Sequence, residues 1–181
     1  MSGGIEAGVL VLAGRLVQYP GPEYLADLRA FAELSAQLEV ETTEALKALV
    51  ATLEGRSVGD LQELFTQTFD LTPTCALEVG WHLFGEEYER GAFLVDMRSE
   101  LRGHHVPEGT ELPDHLGSLL ALLVRLDGSQ ARTFAAKALR PAVEKMVQGL
   151  READSPFVAV MHTIHQVLAA YAPVPMEVSH A

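Results

Sequence analysis

The chain is short of cysteine, of positive charge and of long apolar runs, and each shortage closes off a class of function. Cys75 is the single cysteine of 181 residues, so no internal disulfide can form and a reducing compartment is the natural setting. It stands in an apolar run with no cationic neighbour, which suits a buried inert thiol better than a nucleophile. Thirteen Lys and Arg stand against twenty-five Asp and Glu, a net charge of −12. A surface of that sign repels phosphate backbones and anionic membranes, so no nucleic-acid partner is expected; a basic peptide would be attracted. No apolar stretch, Leu119–Val124 included, approaches the roughly 20 residues of a bilayer span, so direct membrane insertion is not expected. The first residues, MSGGIEAGVLVLAG, carry Glu6 and no Lys or Arg before their apolar run, unlike a secretory leader. A cytoplasmic location is the expectation.

Catalytic signatures are missing as well. There is no Gly-x-Ser-x-Gly elbow, phosphate loop or dinucleotide fingerprint, and Glu86-Glu87 reads as a pair of solvated helix-start charges. Neither an enzyme nor a bound cofactor is expected. The rival is a helical-bundle metalloenzyme built on His104, His105, His162 and His165, the last two being one helical turn apart. Against it stand the lack of a cysteine cluster, of His-Glu-x-x-His and of a third ligand nearby in sequence.

What the chain does have is helical periodicity. Ile5, Val9, Leu12 and Leu16 predict a helix over 4–18, ended by Tyr19-Pro20-Gly21-Pro22. Pro22 then suits the first turn of a helix with Tyr24, Leu28, Phe31 and Leu38 inward, and Leu46, Leu49, Val50 and Leu53 mark a third, closed by Gly55. Ser57 and Asp60 approximate a capping box ahead of Leu61, Phe65 and Phe69, and Thr72-Pro73 breaks that helix. Cys75, Leu77, Val79, Trp81 and Leu83 alternate as in a strand, while Leu77, Trp81 and Phe84 fit a helix. Helix is the reading, since nothing else in the chain offers a strand to pair with. Gly85 ends that segment, a longer helix over 86–103 follows, and 104–110 is a polar loop. Leu116, Leu119, Leu120, Leu123 and Leu126 predict the most apolar helix, and 127–129 a turn. The helix over 131–153 should kink near Leu139, because Pro141 removes a backbone donor. Ser155-Pro156 opens the last helix, with Met161, Ile164, Leu168 and Tyr171 inward.

The fold class is therefore all-α: one domain over 1–171, a bundle of eight or nine helices, with a tail over 172–181 that holds two prolines and little to bury. About 70% of the unfolded surface would leave water, enough for a core without staples.

Four elements stand close together. They are Phe65-Thr66-Gln67-Thr68-Phe69-Asp70-Leu71, Leu83-Phe84-Gly85-Glu86, Glu89-Arg90-Gly91 and Glu111-Leu112-Pro113-Asp114-His115-Leu116. In this order the chain resembles the NarJ-type assembly chaperones of nitrate reductase, within the TorD/DmsD family of molybdoenzyme maturation chaperones. Two departures are the missing tyrosine before Leu64-Phe65 and Glu78 in a segment that relatives fill with aromatics. The resemblance implies a TorD-like bundle that binds the N-terminal segment of a molybdoenzyme catalytic subunit. That subunit, most simply of a nitrate reductase, would be held competent for cofactor insertion before membrane assembly or export. A general peptide-binding module with another helical client is a further alternative, and monomer and dimer both stay open.

The residues that would meet the client peptide are Phe65, Phe69, Asp70, Trp81, Phe84, Arg90, Glu111, Asp114 and His115. Each has a plainer reading. The four aromatics suit the core, Arg90 could pair with Glu86 or Glu87 while Gly91 lets helices approach, and Pro113-Asp114 suits a helix start. In the functional reading Asp114 and His115 stand at the rim of a groove, so that charge reversal at Asp114 would weaken client binding and leave the bundle folded.

Overall fold

The computed structural model describes residues 2–169. Expectations that fall on Tyr171 and on 172–181 lie outside them. Ten α-helices follow one another: α1 (Ser2–Leu16), α2 (Tyr24–Ala36), α3 (Thr43–Leu53), α4 (Val58–Phe65), α5 (Val79–Phe84), α6 (Tyr88–Gly103), α7 (Leu116–Leu123), α8 (Gly128–Phe134), α9 (Arg140–Glu152) and α10 (Val158–Ala169). A π-helical turn, Thr66–Asp70, extends α4, and another, Ala135–Leu139, joins α8 to α9 without a break. Counting α8 and α9 as one path gives nine helices among the described residues, and the domain is all-α.

Local chemistry explains most boundaries. Ser57 Oγ accepts from Asp60 N at 3.1 Å while Asp60 Oδ2 accepts from Ser57 N at 3.0 Å, a complete capping box at the start of α4. Asp127 caps α8 through Ser129 N and Gln130 N, and Ser155 Oγ accepts from Phe157 N ahead of α10. The π turn at Ala135–Leu139 is the distortion expected near Leu139: Pro141 has no N–H to donate, and the ladder widens by one residue just before it.

The core lies where α1 packs against α2, α7 and α10, and α9 against α5 and α10. Leu116, Leu119, Leu120, Leu122 and Leu123 are buried, so α7 is the central helix, as its apolar run predicts. By contrast α6 buries Met97 and Leu101 but leaves Tyr88 and Val95 exposed.

One expectation is corrected. The segment after Pro73 is helical only from Val79. Before it, Pro73–Cys75 forms a 3-10 turn, and Ala76–Glu78 runs extended to pair antiparallel with the residues ahead of α7. Val79 N donates to Asp114 O at 2.9 Å and Leu116 N to Leu77 O at 2.8 Å. The period-two alternation was a true signal only around Leu77, in the extended strip between Cys75 and Val79. Its backbone is satisfied by a single bridge to residues almost forty positions away, a partner that carries no strand pattern of its own.

Candidate functional site

The bridge between Glu78 and His115 brings the 57-residue stretch from Leu61 to Gly117 together. On one side of Pro73–Glu78 lies a cleft of about 320 Å³, lined by Tyr19, Phe65, Phe69, Asp70, Glu78, Glu111 and His115 among others. Five of the nine expected residues meet there. Tyr19, Phe65, Phe69 and Phe157 form a chain of ring contacts, with centroids 6.0, 4.8 and 5.2 Å apart, so the aromatic floor is continuous with the core. Phe65 and Phe69 are buried, and Tyr19 is exposed at the mouth.

The polar side of the cleft is acidic. Asp70, Glu78 and Glu111 surround His115, and no Lys or Arg lines it. His115 caps α7: its Nδ1 accepts from Gly117 N at 3.1 Å, which places the ring proton on Nε2. Burial pushes its pKa below the ordinary histidine value, against the pull of Glu78 and Asp70. Above that lowered value the ring is neutral, with its proton on Nε2. In charge and lining the cleft is complementary to a cationic group flanked by apolar side chains.

Across Pro73–Glu78 a second cleft, about 570 Å³, is lined by Trp81, His82, Phe84, Lys145 and Glu152 among others. Trp81 Nε1 donates to Pro73 O at 3.1 Å, and Lys145 Nζ donates to His82 O at 2.6 Å, tying α5 to α9. His82 is buried, its Nε2 lies 2.7 Å from Ala76 O, and desolvation holds its pKa low. The Phe84 ring lies 5.5 Å from that of Phe93.

Arg90 and Asp114 join neither lining. The Arg90 guanidinium carbon sits 5.7 Å above the Trp81 ring, and its Nε is 3.8 Å from Asp114 Oδ2. It makes this contact rather than an ion pair with Glu86 or Glu87, and Gly91 faces open space instead of an approaching helix. Asp114 has no exposed surface, Oδ2 accepts from Gly80 N at 3.0 Å, and Oδ1 is buried without a hydrogen-bond partner. Desolvation raises its pKa despite Arg90. Asp114 is thus not at a rim; it is a buried brace between α5, α6 and α7. A Cβ on Gly80 would lie 2.6 Å from Asp114 Oδ2, so only glycine lets the backbone reach that carboxylate.

Sequence reasoning treated Glu78 as a mere interruption and passed over Tyr19, yet both line the acidic cleft. Glu78 stands in the strand-like run, where period two was the available signal, while nothing local marks Tyr19. The histidine pairs do not converge: His104 faces Glu100 at 3.5 Å on α6, and His162 and His165 lie on α10. Among the described residues no three or more His, Cys, Asp or Glu side chains cluster as metal ligands. Cys75 is buried, and its thiol pKa is raised by that burial. Nor is any helix there long and apolar enough to cross a membrane.

Residues 35–163 match the family described as nitrate reductase delta subunit. The chain belongs to this family. All nine expected site residues fall within the matched span. Over 150 residues the family member described here is 27% identical to the nitrate reductase molybdenum cofactor assembly chaperone NarJ of Escherichia coli strain K12, and equally to that of Escherichia coli O157:H7. The aligned region takes up 81% of this chain and 63% of each relative, so this delta-subunit family chain spans less than two thirds of their length.

Proposed function

We propose that the chain is a dedicated chaperone, not an enzyme, that binds the N-terminal segment of the apo catalytic subunit of a molybdoenzyme, a nitrate reductase in the simplest case. It keeps that subunit competent for molybdenum cofactor insertion before membrane assembly or export, and acts in the cytoplasm. Family membership and the role named for the relatives support the class of function. The observation that carries the site is the acidic cleft, where an aromatic floor and three carboxylates surround a neutral His115.

The client segment enters as a helix or turn, with one or two apolar side chains on Phe65 and Phe69 and a Lys, Arg or terminal ammonium against Asp70, Glu78 and Glu111. Trp81 and Phe84 offer a second apolar station across Pro73–Glu78. Arg90 and Asp114 act through position, by fixing α5 and the bridge that shapes both clefts. The charges contribute chiefly to association rate and register, and the buried apolar contacts to residence time.

The test is calorimetric titration of the chain with a peptide matching the N-terminus of the same organism's molybdoenzyme catalytic subunit, at low and moderate salt. Saturable one-to-one binding is expected, weakened severalfold by salt and about tenfold by Asp70→Lys with Glu111→Lys. Absence of saturation at about 1 mM peptide would exclude the reading.

A further inference from the structure

The acidic cleft has a counterpart of opposite character on another face. Leu10, Val11, Gly14, Arg15 and Gln18 of α1 and the loop after it, with Val106, Pro107, Gly117, Ser118, Ala121, Val124 and Arg125, enclose about 430 Å³ between α1 and α7. Its floor is apolar, and Val11 is exposed at its edge. Close approach of the two helices makes it: a Cβ on Gly117 would lie 3.0 Å from Gly14 O and collide with the Gln18 side-chain amide. Ser118 and Ala121 keep the α7 side of the opening low.

No carboxylate lines this cleft. Four other clefts among the described residues each have at least one: Glu152, then Asp96 and Glu100, then Asp70, Glu78 and Glu111, then Glu6 and Glu39. On a chain of net charge −12, an apolar cleft bearing two guanidiniums and no acid goes against the composition. The flanking charges preserve the sign. Arg15 donates to Asp27 at 3.1 Å, Arg125 Nη1 in the turn after α7 donates to Ala121 O, and Glu108, next to Pro107, is held by both Arg98 and Arg102. Of the two guanidiniums that line the cleft, Arg15 is paired with Asp27, and Arg125 has a carbonyl rather than a counter-ion as its partner.

From this we infer that the α1/α7 cleft is a second docking site, for an acidic amphipathic helix of a partner protein. Such a helix lays two or three apolar side chains between Val11, Val106 and Val124 and sets its carboxylates against Arg15 and Arg125. It is distinct from the acidic cleft in place and in sign, so the two can be occupied by different segments, one basic and one acidic. A bidentate guanidinium–carboxylate pair adds direction to the apolar contact.

The probe is a capped synthetic helix with leucines at i, i+3, i+4 and i+7 and flanking glutamates, beside a control with lysines in place of the glutamates. Binding is followed by calorimetry and by amide NMR shifts. Saturable binding of the glutamate helix is expected, with shifts at Gly14, Gly117, Ser118 and Ala121. Affinity should fall about tenfold in the Arg15→Glu/Arg125→Glu variant. Val11→Asp, which removes an apolar contact and sets a carboxylate one helical turn from Arg15, should cause a similar loss, while circular dichroism confirms that both variants are folded. Failure to saturate by about 1 mM, unchanged affinity in either folded variant, or shifts confined to another face overturns the inference.

Discussion

Asp114 holds a fully buried carboxylate against Gly80 N and 3.8 Å from Arg90 Nε. Its functional effect therefore runs through stability. Asp114→Ala strands the Gly80 N–H and leaves Arg90 without its carboxylate; a loss of about 2–3 kcal/mol in urea-unfolding free energy is expected. Asp114→Asn keeps an acceptor for Gly80 N and gives up a charge whose burial is unfavourable, so it should cost about 1 kcal/mol or less. Equal, negligible losses in the two variants would show that the contact braces nothing. Charge reversal at this position, first expected to leave the bundle folded, places a cation in a buried site beside Arg90 and is now expected to unfold the α5–α7 junction. The exposed carboxylates Asp70 and Glu111, together with Glu78, are the ones free to meet a ligand's charge.

Among the elements, α4 with its π turn is the arm that carries Phe65, Phe69 and Asp70 to the cleft. Its first turn rests on the reciprocal Ser57–Asp60 box, and the exposed Asp60 carboxylate is held below its ordinary pKa by the hydrogen bonds it accepts from Ser57 Oγ and Ser57 N. Ser57→Ala should cost about 1 kcal/mol, read as a Tm lowered by about 2–4 °C for a chain this size. An unchanged Tm would mean that packing of Leu61 and Phe65 alone sets the helix start. The Ala76–Glu78 bridge is the element-level device that divides the candidate surface into two clefts, because it inserts an extended strip between α4 and α5.

At the scale of the whole molecule, His82, His115 and His165 all have pKa values lowered first by burial. A histidine of that kind binds its proton more readily when unfolded. Its contribution to stability is complete above the ordinary value near pH 6.5 and is lost as pH falls through the lower folded value. Asp114 has the opposite sign: its contribution is complete below about pH 3.9 and is lost as pH rises through its raised folded value. The three histidines should make the urea-unfolding free energy decline from pH 7 towards pH 5, with Asp114 opposing them. The decline should be shallower in His115→Asn, which keeps an acceptor for Gly117 N but cannot titrate. Parallel curves for the two proteins would remove His115 from the account.

The all-α class, the order of the helices, the Ser57 cap, the distortion ahead of Pro141 and the central place of α7 were all legible in the sequence. Each depends on residues within a few positions of one another: a 3.6-residue apolar stripe, a side chain three residues from an N–H, a missing backbone donor. The family resemblance brought forward a stretch of which Phe65, Phe69, Asp70, Glu111 and His115 share one cleft. Tertiary structure alone decided which members of that stretch are available. Asp114 and His115 are neighbours, yet one is sealed beneath Gly80 and Arg90 while the other borders a cleft, because the bridge to Ala76–Glu78 turns them to different sides. It also decided that Arg15 and Arg125, far apart in sequence, border one acid-free cleft. Periodicity records which face of a helix turns inward; which faces meet, and which charges they leave at the surface, is settled by contacts between residues too distant for any local pattern to carry.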